Sequence, residues 1–421
     1  MIREISRRKC LRLWLCKPEY MGRTKWENRF VLLRFWKKNY MMFLKDLKRF
    51  KMERLYDKLK AYSESDFYAF HMPGHKRNKA LLGIELPYDL DITEIDGFDD
   101  LHHADGILKE EQERAARVFG AEESHFLVNG STAGILSAVM GCTHRGDKIL
   151  VARHCHKSIY HAIYMNGLVP RYVYPEFDIS MHMNGEISKE DVAKALAAEP
   201  DIKAVVIVSP NYDGVVSDVK GIAEVAHSYR IPLIVDEAHG PHFGFHPAFP
   251  GRANDLGADV VINSLHKTLP SLTQTAILHI NGKLANRRRI KKYLDMLQSS
   301  SPSYIFMASL DACVDFLDGK CEEAFELYVE RLQKFREELK PLQHLQILRT
   351  EHYDISKVVI STANANITSP ELADRLRKEY HLEMEMTGGT YVLAMTTVAD
   401  TQEGLDRLKA ALLEIDGQLE A

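Results

Sequence analysis

The sequence predicts an α/β fold: a mostly parallel sheet flanked by helices on both faces, followed by a smaller α+β domain. Three observations carry this. Six short, continuous runs of Val, Ile and Leu recur between residues 125 and 280, helical patterns separate them, and the texture changes after "SSSPSY" (299–304). Uninterrupted apolar runs suit strands buried on both faces, and strand–helix–strand alternation folds most simply into a parallel sheet.

In chain order the runs are "HFLV" (125–128), "KILVA" (148–152), "AVVIV" (204–208), "PLIVD" (232–236), "DVVIN" (259–263) and "AILHI" (276–280). Between them, "SKEDVAKALAAE" (188–199) reads as a helix, with Ser188 as N-cap and Asp191 three residues on as a variant capping box. A second helix is read over 218–230, and a helix-length crossover between the ends of "PLIVD" and "DVVIN". Residues 306–340 read as one long helix, followed by "KVVIST" (357–362), the helix "SPELADRLRKEY" (369–380) and "TYVLAMTT" (390–397). The division is thus an N-terminal arm over 52–90, a large domain over 91–305 and a small α+β domain over 306–421. The arm joins the small domain or covers the cleft.

The first 51 residues stand apart. Residues 1–50 hold fifteen Lys and Arg against four Asp and Glu, in a chain of net charge −4, and also Trp14, Trp26, Trp36, Cys10 and Cys16. This composition suits a disordered extension, or translated sequence upstream of a start at Met41, Met42 or Met52, more than a basic arm binding an acidic surface. It has no apolar h-region or cleavage site of a secretory signal, and nowhere does the chain offer the ~18 consecutive apolar residues of a membrane span. The modest net charge makes no case for nucleic-acid or membrane partners. Six cysteines without a C-x-x-C pattern fit a reduced, cytoplasmic protein, with Cys142 and Cys155 as small core residues.

Ligands of open parallel sheets bind beyond the carboxyl ends of the strands, so the candidate residues are those that follow each run. After "HFLV", Asn129-Gly130-Ser131-Thr132 opens a helix and forms either a phosphate cradle or a plain N-cap. After "KILVA" come His154, His156 and His161 with Lys157 and Ser158. Their spacing matches no common structural zinc site, and a ring stacked on a planar cofactor is the functional reading. Asp236 ends the next run, either to brace its loop or to pair with a protonated ring nitrogen. Ser264-Leu265-His266-Lys267 follows "DVVIN"; a partly desolvated lysine there becomes a nucleophilic amine. A phosphate cradle, a stacking histidine, a strand-end aspartate and a strand-end lysine together suit pyridoxal 5'-phosphate and exclude a metal centre from the reading.

The segments "FHMPGHK" (70–76), "DITEIDGFDDLHHADGIL" (91–108), "VNGSTAGI" (128–135), "CHKS" (155–158), "VDEAHGPHFGF" (235–245), "NSLHKTLPSLTQTA" (263–276) and "SSSPSYIFMASLD" (299–311) resemble the short-form ornithine/lysine/arginine decarboxylases of the aspartate-aminotransferase fold. The resemblance spans residue 52 to about 400. It implies the fold type I sheet, of the seven-stranded type, and decarboxylation of lysine, ornithine or arginine in the service of polyamine synthesis. By the same resemblance Lys267 carries the cofactor as a Schiff base, Asp236 holds the ring nitrogen protonated, and His156 stacks on the ring. Gly130, Ser131, Thr132, Ala238, His239, Ser264 and His266 then surround the cofactor. The stretch around Ser300 and Ser301 is similar to the family segment that reaches a neighbouring subunit's phosphate, which implies a homodimer with shared sites. A basic substrate calls for a carboxylate at its far end; Glu94, Asp96, Asp99 and Asp100 are the candidates, unless they brace their own loop.

Two departures stand out. The family pattern continues into a further small domain with an aromatic-Pro-Pro-Gly segment, whereas this sequence ends at "EIDGQLEA"; and Ile262 and Pro270 stand where smaller residues are usual. Two other activities fit the same residues. An aminotransferase or lyase calls for a substrate-binding arginine, for which Arg375 and Arg377 are available; a binding protein keeps the cradle without turnover.

Overall fold

The structure, a computed structural model, describes residues 53–179, 182–348 and 352–419. The basic head expected over 1–51 lies outside the described residues. Helix α1 (Leu55–Ser63) leads through turns to α2 (Ile107–Val118). The alternating unit follows: β1 (Glu123–Leu127), α3 (Gly130–Cys142), β2 (Lys148–Ala152), α4 (Lys157–Asn166), β3 (Val169–Val173), the small hairpin β4 (Phe177–Asp178) and β5 (Met183–Asn184), α5 (Lys189–Ala198), β6 (Ile202–Val208), α6 (Val219–Ser228) and β7 (Leu233–Asp236). Then come β8 (Val260–Asn263), the short α7 (Leu265–Thr268), β9 (Ala276–Ile280), α8 (Arg287–Leu297), α9 (Tyr304–Leu317) and α10 (Glu322–Glu338). The chain ends with β10 (Gln346–Ile347), β11 (Lys357–Ser361), α11 (Ser369–Tyr380), β12 (Met386–Thr387), β13 (Tyr391–Met395) and α12 (Gln402–Gln418).

The main sheet has seven strands in the order β1-β9-β8-β7-β6-β2-β3. Strands β3, β2, β6, β7 and β8 pair in parallel, while β9 runs antiparallel to both β8 and β1. Alternate residues along each strand point to opposite faces. Val206, Val260 and Ile262 therefore pack with Ile135 and Val139 of α3 and Ile290 of α8, while Val205, Val235 and Val261 pack with Leu196 of α5 and Ile222 of α6. Each such fully buried side chain stabilises the fold by roughly 1.5–3 kcal/mol. The second, four-stranded sheet is antiparallel, in the order β10-β11-β13-β12.

Several elements differ from the sequence reading. Strand β3 escaped it because Pro170, Arg171 and Tyr172 interrupt the apolar run; it lies at the sheet edge, where a proline removes no ladder bond. The crossover 237–259 contains turns and no helix, since Gly240, Pro241, Gly244, Pro247, Pro250 and Gly251 deny one. The long helix expected over 306–340 is two helices, broken at Asp318–Cys321 where Gly319 takes φ +76°. Ser188 does cap α5, through Glu190 N–H, but Asp191 closes no capping box and pairs instead with Lys194 at 2.8 Å. The reciprocal box forms at Thr368 and Glu371 of α11.

A boundary at residue 305 does not separate the cores. Leu310, Val314, Phe325 and Leu332 share a cluster with Leu55 and Leu59 of the arm and with Phe126 and Ile277 of the main sheet. The cluster around the small sheet begins at Phe335 and includes Val358, Ile360, Val392 and Ile415.

Candidate active site

Strand β8 is fully buried, and Ser264 follows it with no solvent exposure. The single turn α7 then presents Lys267, whose Nζ lies 2.8 Å from His239 Nε2. Burial lowers the Lys267 pKa, while Asp236 and Glu385 pull it partly back. Asp236 ends β7 in register with Ile262 of β8, which sets its carboxylate beside the lysine turn. Burial raises its pKa against the opposing effects of Lys267 and of Ala238 N–H, which donates to Oδ1 at 3.2 Å. The next carboxylate, Glu237, braces the loop: it accepts from Ala253 N–H at 2.8 Å and from Asn263 Nδ2 at 3.0 Å, and burial pushes it up to about 8. Ser264 Oγ is buried and has no hydrogen-bond partner. Such an orphan hydroxyl costs free energy unless another group completes it.

At the end of β1, which β9 separates from β8, Gly130 takes φ +73°, a conformation only glycine adopts without strain, and starts the thirteen-residue α3. Asn129 does not cap this helix with its side chain; its Oδ1 accepts from Ser299 N–H at 3.1 Å. Ser131 and Thr132 sit in the first turn, half-buried and exposed. His156 caps α4 by accepting from Ser158 N–H, with Nδ1 2.8 Å from Ser158 Oγ, and burial together with Lys267 lowers its pKa. His154 is separate: burial alone pushes it down to about 4, and its Nδ1 has no partner. His266 donates from Nδ1 to the Thr275 carbonyl at 2.9 Å. Among the described residues no group of three or more His, Cys, Asp or Glu is placed to hold a metal ion. Burial pushes the Cys142 and Cys155 thiols up to about 12.

The structure adds residues that sequence reasoning missed. Lys357, at the start of β11, is fully buried, with Nζ 3.4 Å from His239 Nδ1. Tyr212 lays its ring against His239, with centroids 4.7 Å apart, and its hydroxyl bonds Glu385. These residues are remote from Lys267 in sequence, and Lys357 in "KVVIST" looks like an ordinary charged strand flank. The one available signal was a lysine at the head of an apolar strand.

The acidic stretch divides. Asp99 Oδ2 accepts from Gly106 N–H and Leu108 N–H, both at 2.9 Å. Burial opposes ionisation of Asp99, but its backbone N–H partners prevail and hold it below the usual carboxylate range. Asp100 accepts from His102 N–H at 2.9 Å and lies 3.1 Å from His103 Nδ1. Both carboxylates are occupied by their own loop, and Asp96 is exposed. Glu94 differs: one oxygen takes the Thr93 hydroxyl and the other is buried without a partner. Ser299 lies against Asn129 of its own chain, and Ser300 and Ser301 are exposed. Arg375 and Arg377 pair along α11 with Glu379 at 3.2 Å and Asp374 at 3.0 Å.

A family model described as "Orn/Lys/Arg decarboxylase, major domain" matches residues 53–412. The chain belongs to the Orn/Lys/Arg decarboxylase family. An arginine decarboxylase of Bacillus subtilis is 34% identical over 380 residues, covering 87% of this chain and 77% of the relative. The lysine decarboxylase LdcA of Pseudomonas aeruginosa is 29% identical over 286 residues, covering 60% of this chain and 38% of its own. The solved structure of the constitutive lysine decarboxylase of Escherichia coli superposes with a TM-score of 0.75 at 23% identity. That match covers 86% of this chain and 60% of the solved one, so the chain spans about three fifths of its length. The fold is the type I fold of pyridoxal-phosphate enzymes, and family and fold together imply that cofactor. An unpartnered buried hydroxyl on Ser264, a helix N-terminus without a side-chain cap, and a desolvated lysine facing a buried carboxylate are a donor set that fits it. Among the described residues no helix is long and apolar enough to cross a membrane.

Proposed function

We propose that this chain catalyses pyridoxal-phosphate-dependent decarboxylation of a basic amino acid, lysine, ornithine or arginine, to the corresponding amine. The observation that carries the reading is the desolvated Lys267 set beside buried Asp236, with the orphan Ser264 hydroxyl on the same turn. When bound, pyridoxal phosphate supplies the electron sink for the pair left by departing carbon dioxide. The protein's part is to position and to manage protons. Burial favours the neutral, nucleophilic amine of Lys267. Asp236 would hold a proton at the ring nitrogen, and His156 would stack on the ring. Gly130, Ser131, Thr132, Ser264 and His266 would hold the phosphate end, with Ala238 and His239 lining the same strand edge. Glu94 is the acidic residue left to meet the far end of a basic substrate, because Asp99 and Asp100 are occupied locally and Asp96 is exposed to solvent.

The relatives' names, arginine and lysine decarboxylase, support the substrate class. A homodimer suits the arm, whose Phe67, Phe70, Met72, Leu81 and Leu82 are all more than half exposed and would be covered by a second copy. A cytoplasmic place in polyamine synthesis completes the reading.

Carbon dioxide release with lysine, ornithine and arginine offered separately is the test. An amine product supports the decarboxylase. A keto acid assigns transamination instead, against which the local pairing of Arg375 and Arg377 already counts. Neither product leaves a cofactor-binding protein, and a protein that added pyridoxal phosphate cannot colour removes the reading entirely.

A further inference from the structure

His239 lies between two lysines. Its Nε2 is 2.8 Å from Lys267 Nζ and its Nδ1 is 3.4 Å from Lys357 Nζ. The ring itself is buried and held by Tyr212. Burial, with both lysines next in effect, holds its pKa well below the usual range, so it stays neutral. A neutral imidazole has one N–H and one lone pair. Only one flanking lysine can then be an ammonium that donates to the ring; the other must be a free amine that accepts from it.

The place of Lys357 is built. Gly214, at φ +104°, faces it, and a Cβ there would lie 2.7 Å from its Cγ. No carboxylate pairs with its Nζ within 4.0 Å among the described residues; Asp354, Glu385 and Asp213 act only from further away. Asp354 lies 3.1 Å from His242 Nε2 and 2.7 Å from the Ser356 hydroxyl. The remaining charged or titratable groups acting on the triad are Asp236 at Lys267, and His156 and His266 at His239.

We propose that Lys357 is a positioning residue that shares one proton with Lys267 through His239. In one state Lys357 is the ammonium, His239 carries its proton on Nε2, and Lys267 is a free amine. In the other, His239 has passed its Nε2 proton to Lys267 and taken one from Lys357 on Nδ1. Lys267 is then the ammonium and Lys357 the amine. The transfer moves one charge between the lysines, reverses the ring tautomer and needs no external acid or base. Lys357 thereby stores, out of reach of solvent, the proton that Lys267 must lose to become nucleophilic. Burial brings Lys357 down to about 8, within reach of such exchange.

This rests on the role proposed for Lys267, but its test uses the full chain freed of cofactor. Trace acetylation of Lys267, followed by mass spectrometry across pH, reads the midpoint at which its amine becomes free. Lys357→Met leaves Lys267 the sole holder of the shared proton, so its midpoint rises by about one pH unit and its labelling near neutral pH falls about tenfold. Lys357→Arg keeps a permanent charge against His239 Nδ1, so the midpoint stays at or below the wild-type value. A purely structural role moves both variants together. An unchanged midpoint in Lys357→Met, or a rise in both variants, overturns the proposal. A second reading needs no variant, should Lys357→Met not fold. In ¹⁵N-histidine-labelled protein the two states differ by no proton, so the neutral His239 ring shows both its Nδ1–H and Nε2–H tautomers, in a proportion that pH does not change while the one proton is shared; a single fixed tautomer overturns the relay. Failure here leaves the decarboxylase reading standing, whereas failure to bind pyridoxal phosphate removes that reading and leaves the relay intact.

Discussion

Lys267 Nζ lies 2.8 Å from Nε2 of His239, inside a site where burial lowers the pKa of both side chains. Two groups that would each be charged in water at mildly acidic pH are thereby kept able to exchange a proton. The amine on which the proposed chemistry depends is set by this desolvation.

Lys267→Ala removes the only amine on the α7 turn. The visible absorbance that added pyridoxal phosphate confers on the wild-type protein should be lost, and amine formation should fall at least about 10³-fold. Spectra and carbon dioxide release measure both.

Ser264→Ala separates two roles for one hydroxyl. If the hydroxyl completes the phosphate site, the variant binds pyridoxal phosphate roughly tenfold more weakly, the loss of about one hydrogen bond to a charged group. The cofactor-free protein should lose no stability, because Oγ has no partner to forfeit. Fluorescence titration and chemical denaturation give the two answers, and a stable variant with unchanged cofactor affinity would remove Ser264 from the site.

Asp99 and Glu94 should behave oppositely. Asp99 caps the start of α2, so Asp99→Ala should cost about 1–2 kcal/mol in denaturant unfolding and leave KM for the basic substrate unchanged. Glu94→Gln, at the carboxylate with a free oxygen, should raise KM about tenfold with little change in kcat. Steady-state kinetics that show the reverse pattern would return the substrate's far end to Asp99.

Glu237 makes the pH dependence specific. Burial raises its pKa from 4.5 to about 8, so between those values the folded chain holds a proton that the unfolded chain has released. Its contribution to stability is therefore present below pH 4.5, falls as pH rises, and levels off above about pH 8. Glu237→Gln cannot release that proton. The variant should gain on the wild type from pH 5 upward, by roughly 3–5 kcal/mol at pH 8.5, as measured by denaturation at a series of pH values.

Much of this site is legible in the sequence alone. The run "DVVIN" and the residues after it place Lys267, and "PLIVD" places Asp236, because a buried parallel strand needs an unbroken apolar run and the charged residue that ends it marks the ligand edge. Strand β3 was not legible, because an edge strand tolerates Pro170 and polar neighbours that hide the signal. The break between α9 and α10 was missed because helical periodicity runs on across Gly319.

The sequence by itself determined the strand core, the α/β class and the residues at each strand end, since local periodicity and punctuation are properties of neighbours along the chain. Only the tertiary structure decided that β9 runs antiparallel between β8 and β1, that Asp99 closes its own loop, and that Lys357 and Tyr212 converge on His239. Those facts depend on which buried groups must find partners once distant segments pack. A lysine at the head of β11 reads as a surface residue until packing buries it beside Lys267 and makes a single imidazole answer to both.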